Sequence, residues 1–112
     1  MDAITIHQMV YILKLEQDKY YVGITYNLNL RMGQHFGGFG SKFTQQFKPV
    51  ELIKVIPFAT KETELLHTLL MMKEYGYKNV RGSFWCKIND PVNNPINDEK
   101  YSALLINDNK KD

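Results

Sequence analysis

Tyr21-Val22-Gly23-Ile24-Thr25-Tyr26-Asn27-Leu28-Asn29-Leu30-Arg31, with His35 four residues further on, reads as a short strand, a glycine turn and the opening of a helix. The aromatic and β-branched residues up to Thr25 favour an extended chain. Asn27 is a good N-cap for a helix running from Leu28 to about Phe36. Leu28, Met32 and Phe36 form its expected buried stripe, while Arg31 and His35, four apart, project together from the exposed face. Gly33 costs this helix about 1 kcal/mol relative to alanine, which points to close packing at its middle.

Upstream, Val10 to Glu16 alternates, with Tyr11, Leu13 and Leu15 on one face and Val10, Ile12 and Lys14 on the other. Gln17-Asp18-Lys19 is a polar turn, so this segment and Tyr20–Thr25 form a β-hairpin. A three-residue loop sets Leu15 opposite Tyr21 and Tyr11 opposite Thr25. Directly opposed residues share a face, so both tyrosines stand with Gly23 and Thr25 on one side of the sheet. Met1 to Gln8 offers only a short strand or an extended arm.

Downstream, Gly37-Gly38-Phe39-Gly40-Ser41 ends the first helix in a flexible loop, which Phe43 and Phe47 pin to the body. Val50 to Ile56 alternates as a third strand that Pro57 stops. Thr60 caps a second helix ending at Tyr75, with Gly76 just beyond it. Leu65, Leu66, Leu69, Leu70 and Met72 give it a broad apolar face, and Glu62 and Glu64 lie in the first turn, where the helix dipole favours negative charge. Asn79 to Ile88 reads as a turn and a packed aromatic segment in which Phe84 and Trp85 are core residues. After Asn89 the chain is rich in Asn, Asp and Pro, an irregular tail that Tyr101 to Ile106 dock to the body. There is no internal repeat.

The 112 residues suffice for one small core. No apolar run reaches the roughly 18–20 residues of a membrane span, and the first residues lack a signal-peptide pattern. The single Cys86 excludes an internal disulfide and a Cys-rich zinc site, and it suits a reducing compartment. A soluble intracellular protein with no membrane role is the expectation, in cytoplasm or nucleus. The net charge of +2 is uneven: residues 1–88 hold 11 Lys/Arg against 7 Asp/Glu, and residues 89–112 hold 3 against 5. A mildly basic body can meet a polyanion, although many proteins without a nucleic-acid role share that balance.

Met9-Val10-Tyr11, Tyr21-Val22-Gly23, then Thr25, Asn27, Leu28, Arg31 and His35 together resemble the GIY-YIG nuclease pattern of two short tyrosine strands followed by T-x-N-L-x-x-R and a histidine. The resemblance covers residues 9–88. Lys73-Glu74-Tyr75-Gly76 and Asn79-Val80-Arg81-Gly82-Ser83-Phe84 look like the variant carried by large DNA viruses. The resemblance implies an α+β fold with a small three-stranded antiparallel sheet flanked by helices. Residues 1–88 would form the domain, and 89–112 a polar, partly docked tail.

It also implies metal-dependent hydrolysis of a phosphodiester in nucleic acid, DNA in preference to RNA. Such a reaction needs an activated water and cancellation of the charge on the phosphoryl oxygens. By similarity to the family, Tyr21 is the base and Tyr11 orients it. Arg31 has the planar fork that suits phosphate oxygens, and His35 is a proton shuttle or a further phosphate donor. Thr25, Lys42, Thr44 and Asn79 are candidate substrate contacts. The family holds one divalent ion, Mg²⁺ or Mn²⁺, on a glutamate of the later helix. Alignment on the Leu-Leu run places Thr68 where that acid usually stands; alignment on Tyr75-Gly76 favours Glu64. Either Glu64 is the ligand, or the metal site is lost and the chain is an inactive module that binds nucleic acid or a host protein. A domain this short implies weak sequence specificity or a protein partner that supplies it. Outside this pattern the same tyrosines would be ordinary strand aromatics, Arg31 a solvated helix residue and Glu64 a first-turn acid.

Overall fold

The computed structural model describes residues 7–109, so all but the last two residues of the strand or arm expected at Met1 to Gln8 lie outside the described residues. β1 (Met9–Leu15) and β2 (Lys19–Thr25) pair as an antiparallel hairpin. The chain reverses in a tight turn over Glu16–Asp18, where Gln17 (φ 60°) and Asp18 (φ 57°) take the left-handed conformation. This turn begins one residue earlier than the sequence reading placed it. Leu15 therefore faces Lys19, Leu13 faces Tyr21, Tyr11 faces Gly23, and Met9 faces Thr25. The partners slip by an even number of residues, so every side chain keeps its expected face.

β3 (Pro49–Ile56) flanks β1 antiparallel, with register breaks between Ile12 and Leu13 and between Lys14 and Leu15. The expected sheet ended there, three-stranded and antiparallel. Instead β4 (Val80–Gly82) lies parallel to β2, and the sheet is four-stranded and mixed, in the order β3-β1-β2-β4. Three residues are too few to show a strand period, and a parallel partner needs a long crossover before it. α3 (Lys61–Tyr75) is that crossover, capped by Thr60, whose side chain and that of Thr63 bond each other's backbone N–H.

Both faces of the hairpin are covered. Val10, Ile12, Tyr20, Val22 and Val80 pack with Ala59, Met71 and Met72, so α3 roofs one side. Tyr11, Leu13 and Leu15 pack with Phe43, Leu28, Met32, Phe47 and Leu52 on the other, under α1 (Leu28–Phe36) and the short α2 (Lys42–Gln46). Asn27 caps α1 as expected, accepting from the Leu30 N–H at 3.1 Å. Gly33 differs from expectation: a side chain there would meet nothing within 4 Å. The segment after Asn89 also differs, because Glu99–Asn109 is a helix, α4. Leu105 is buried, and Tyr101 sets its ring edge-on to Trp85, with centroids 5.2 Å apart.

Candidate active site

The hairpin register places Tyr11 directly across from Gly23. A Cβ at Gly23 would fall on the Tyr11 ring, so glycine is what lets the tyrosine lie over β2. The Tyr11 phenol reaches His35 Nε2 at 2.7 Å, and His35 Nδ1 lies 3.0 Å from Thr44 Oγ1. The Thr44 hydroxyl donates its one proton to the Ser41 carbonyl at 3.1 Å. His35 Nδ1 is therefore the N–H that donates to Thr44, and Nε2 accepts from Tyr11.

His35 is 2% exposed, not on an open face beside Arg31. Its two ring nitrogens both find partners inside, and Phe36 takes the exposed position at 50%. Gly40 is part of the reason, since a Cβ there would strike His35 Nδ1. Burial, helped by the nearby Arg31 charge, pushes the imidazole down to about 4, so it is neutral near pH 7.

Tyr21 completes a cluster of three rings, its centroid 6.3 Å from Tyr11 and 5.3 Å from His35. Burial raises its pKa above the ordinary phenol value, a hydrogen bond with the Ser41 side chain and the Arg31 charge oppose that rise, and Glu64 and Cys86 add to it. Tyr11 is raised further, first by burial, then by Tyr21, with Arg31 opposing and Glu64 adding. Arg31 is half-buried, and no hydrogen bond or ion pair occupies its guanidinium among the described residues. It is an available cation whose charge reaches two phenols.

Glu64 is half-buried in the first turn of α3 and its charge acts on both tyrosines. Burial raises its pKa, while Lys61 and a hydrogen bond from the Ser83 backbone N–H hold it down. Thr68 is fully buried, donates to the Glu64 carbonyl at 2.7 Å, and packs where a Cβ on Gly82 would come within 2.8 Å of its hydroxyl. A side chain at position 68 is thus enclosed beneath β4. Among the described residues no three His, Cys, Asp or Glu side chains converge as a metal cage. One carboxylate among phenolic oxygens does fit a hard divalent ion that takes its other ligands from water and phosphate.

Ser83 is presented by a two-residue turn in which the Gly82 and Trp85 backbones exchange hydrogen bonds of 2.9 and 2.8 Å. Ser83 has φ 50°, a value that this turn normally reserves for glycine. Behind it Arg81 is 1% exposed, the largest fully buried side chain. It donates to the carbonyls of Lys87 (2.7 Å), Val80 (2.9 Å) and Ile88 (3.0 Å), pairs with Asp90 at 2.7 Å, and lies over the Phe43 ring. The sequence reading passed over Arg81, Ser41 and Ser83. Arg81 and Ser83 stood only within the Asn79–Phe84 likeness, with no role attached to either.

The remaining candidates are dispersed. Thr25 closes a local turn, its hydroxyl accepting from the Asn27 N–H at 3.1 Å. Lys42 is exposed at the start of α2, and Thr44 is buried against His35. Asn79 lies at the opposite end of β4 from Ser83, accepting from Lys19 Nζ at 2.7 Å and donating to the Tyr75 carbonyl at 2.8 Å. Phe84, expected in the core, is 69% exposed because the turn throws it outward.

The family described as GIY-YIG catalytic domain matches residues 7–89. The chain is similar to UPF0213 protein YazA of Bacillus subtilis strain 168, 33% identical over 76 residues, which is 68% of this chain and 71% of that protein. It is 37% identical over 68 residues to a UPF0213 protein of Bacillus pumilus, covering 61% and 63% of the two chains. A UPF0213 protein of Streptococcus pneumoniae strain R6 is 38% identical over 53 residues, 47% of this chain and 54% of its own. Their names state no activity, and the matched stretch spans from about half to about seven-tenths of their length. These relatives come from cellular organisms, so the viral likeness rests on the Lys73–Gly76 and Asn79–Phe84 residues alone. No solved structure matches. GIY-YIG domains are typical of endonucleases, and such nucleases typically use a divalent ion. Coverage of this breadth places the chain plainly: it belongs to the GIY-YIG family.

Proposed function

We propose that the chain is a metal-dependent endonuclease-type phosphodiesterase acting on nucleic acid, DNA in preference to RNA. The observation that carries this reading is a convergence on two phenols: the Tyr11 and Tyr21 rings lie with centroids 6.3 Å apart, and the charges of Arg31 and Glu64 both act on them. Arg31 presents its unoccupied fork to a phosphate. Tyr21 accepts the proton of the attacking water, which requires lowering a phenol that burial has raised; Arg31 and the Ser41 hydrogen bond already act in that direction. Tyr11, tied to His35, holds the position of the Tyr21 ring. Glu64 would hold the ion, Mg²⁺ or Mn²⁺, and the bound ion supplies charge cancellation at the phosphoryl oxygens and a more acidic water.

The test is cleavage of plasmid and oligonucleotide DNA and of RNA with Mg²⁺, Mn²⁺ or EDTA, for the wild type and for Tyr21→Phe, Arg31→Ala and Glu64→Ala. Cleavage that needs the ion and collapses in all three variants supports the reading. Full activity in Glu64→Ala would remove the metal assignment.

A second reading is favoured by Thr68, enclosed where family members usually carry the acid. In that reading the patch grips nucleic acid or a protein partner without cutting. Salt-sensitive binding with no cleavage under any ion selects its nucleic-acid form.

A further inference from the structure

Beside Glu64 a hollow of about 210 Å³ opens between the first turns of α3 and the Gly82–Trp85 turn, lined by Lys61, Glu62, Glu64, Leu65, Ser83 and Phe84. Phe84 is 69% exposed, yet it is not loose: its ring meets Trp85 nearly perpendicular, with centroids 5.9 Å apart. Trp85 in turn packs against the core and Tyr101. The turn behind Phe84 is held by the Gly82–Trp85 backbone bonds, and its first residue accepts a left-handed conformation to keep that shape. An aromatic ring exposed on a hydrogen-bonded turn beside an apolar side chain, with an amine, a hydroxyl and the Glu62 and Glu64 carboxylates as donors and acceptors at the rim, is the makeup of a site for the flat, neutral ring of a heterocycle.

From this hollow we infer a nucleotide subsite next to the scissile position, in which an unstacked nucleobase lies against Phe84 and Leu65 while Lys61 and Ser83 face its polar edge. The inference rests on the nuclease reading only for its place beside the bond that is cut. Glu64 joins the two places, since its side chain lines the hollow and its charge reaches both tyrosines. A base inside a duplex has both faces occupied by its neighbours, so the subsite selects a nucleotide that is unpaired or able to leave the stack.

The test measures binding of the full chain, in EDTA, to a single-stranded oligothymidine with 2-aminopurine at every fourth position, which cannot pair with itself over any length, and to its fully paired duplex. Phe84→Ala should weaken binding to the single strand roughly tenfold, the loss of one aromatic-base stack, and abolish the 2-aminopurine fluorescence change. Phe84→Trp should restore both, and the duplex should bind the alanine variant as it binds the wild type. In cleavage assays the alanine variant should lose kcat/KM on the single strand by a factor similar to its loss of affinity and keep it on the duplex. Unchanged affinity and fluorescence in Phe84→Ala would overturn the subsite, and an equal loss for duplex and single strand would overturn the unstacked base. A wild type that binds but never cuts sinks the nuclease reading and leaves the subsite standing. A wild type that cuts normally with Phe84→Ala indistinguishable from it sinks the subsite alone.

Discussion

The Tyr11 phenol donates to His35 Nε2 at 2.7 Å, deep under the first helix. The bond holds His35 Nε2 as an internal acceptor for one side chain. His35 is depressed from an ordinary imidazole value to about 4. A group whose folded pKa is depressed contributes stability that is present above its unfolded pKa and lost as pH falls toward the folded value. Thermal stability should therefore drop between about pH 6.5 and 4, by on the order of 3 kcal/mol from this residue. Melting temperatures across that window, compared with His35→Gln, check this; an equally steep loss in the variant would assign it to other groups.

Tyr21→Phe should lower kcat on the order of 10²–10⁴-fold, the range for a lost proton acceptor. Because burial raises both tyrosines, the wild-type rate should still be climbing above neutral pH, and Tyr21→Phe should flatten that limb. A variant whose rising limb persists would move the proton acceptor elsewhere.

Thr68→Glu places an acid one helical turn beyond Glu64, where the Leu-Leu alignment of the sequence would set one. Here it should not create a second ligand. The site is enclosed under Gly82, so the carboxylate is buried without a partner and the domain loses several kcal/mol. Denaturant titration measures the loss; a stable variant that rescues Glu64→Ala would contradict the geometry.

Arg81→Met removes a guanidinium that several backbone carbonyls and Asp90 depend on, and should cost about 3–5 kcal/mol. Asp90→Asn should cost much less, because Asp90 is half exposed and the carbonyl bonds remain. Similar losses for both would mean the ion pair, and not the carbonyl set, is what holds the loop.

Gly33→Ala should stabilise the protein by about 0.5–1 kcal/mol, since a methyl there meets open space on a helix. Gly23→Ala should do the reverse, displacing Tyr11 and lowering activity with it. Chemical unfolding of the two variants side by side separates a glycine that serves a contact from one that does not.

The pair shows which parts of this molecule could be read from residues alone. The hairpin, α1 and its Asn27 cap, β3 and the Thr60-capped helix follow from local period and capping chemistry, and all appear where expected. The turn slipped by one residue because Gln17 and Asp18 adopt left-handed geometry that no glycine announces. β4 was illegible because three residues carry no period, and its pairing with β2 depends on a distant crossover. His35 was placed outward by helix spacing, and partners from two other segments, Tyr11 and Thr44, turned it inward. Periodicity describes one element at a time, while the candidate site is made where four of them meet.

The parallel strand also has a meaning for the order in which the molecule is made. Both tyrosines, Arg31 and Glu64 precede β4 along the chain, yet the Ser83 N–H that steadies Glu64 arrives only after it. A parallel strand cannot pair until its crossover helix has closed back over the sheet, which makes it a slow, non-local step. A growing chain thus holds Tyr11, Tyr21, Arg31 and Glu64 before the carboxylate gains this support. The carboxylate gains its backbone donor only when the domain is nearly whole, and what sets that moment is topology.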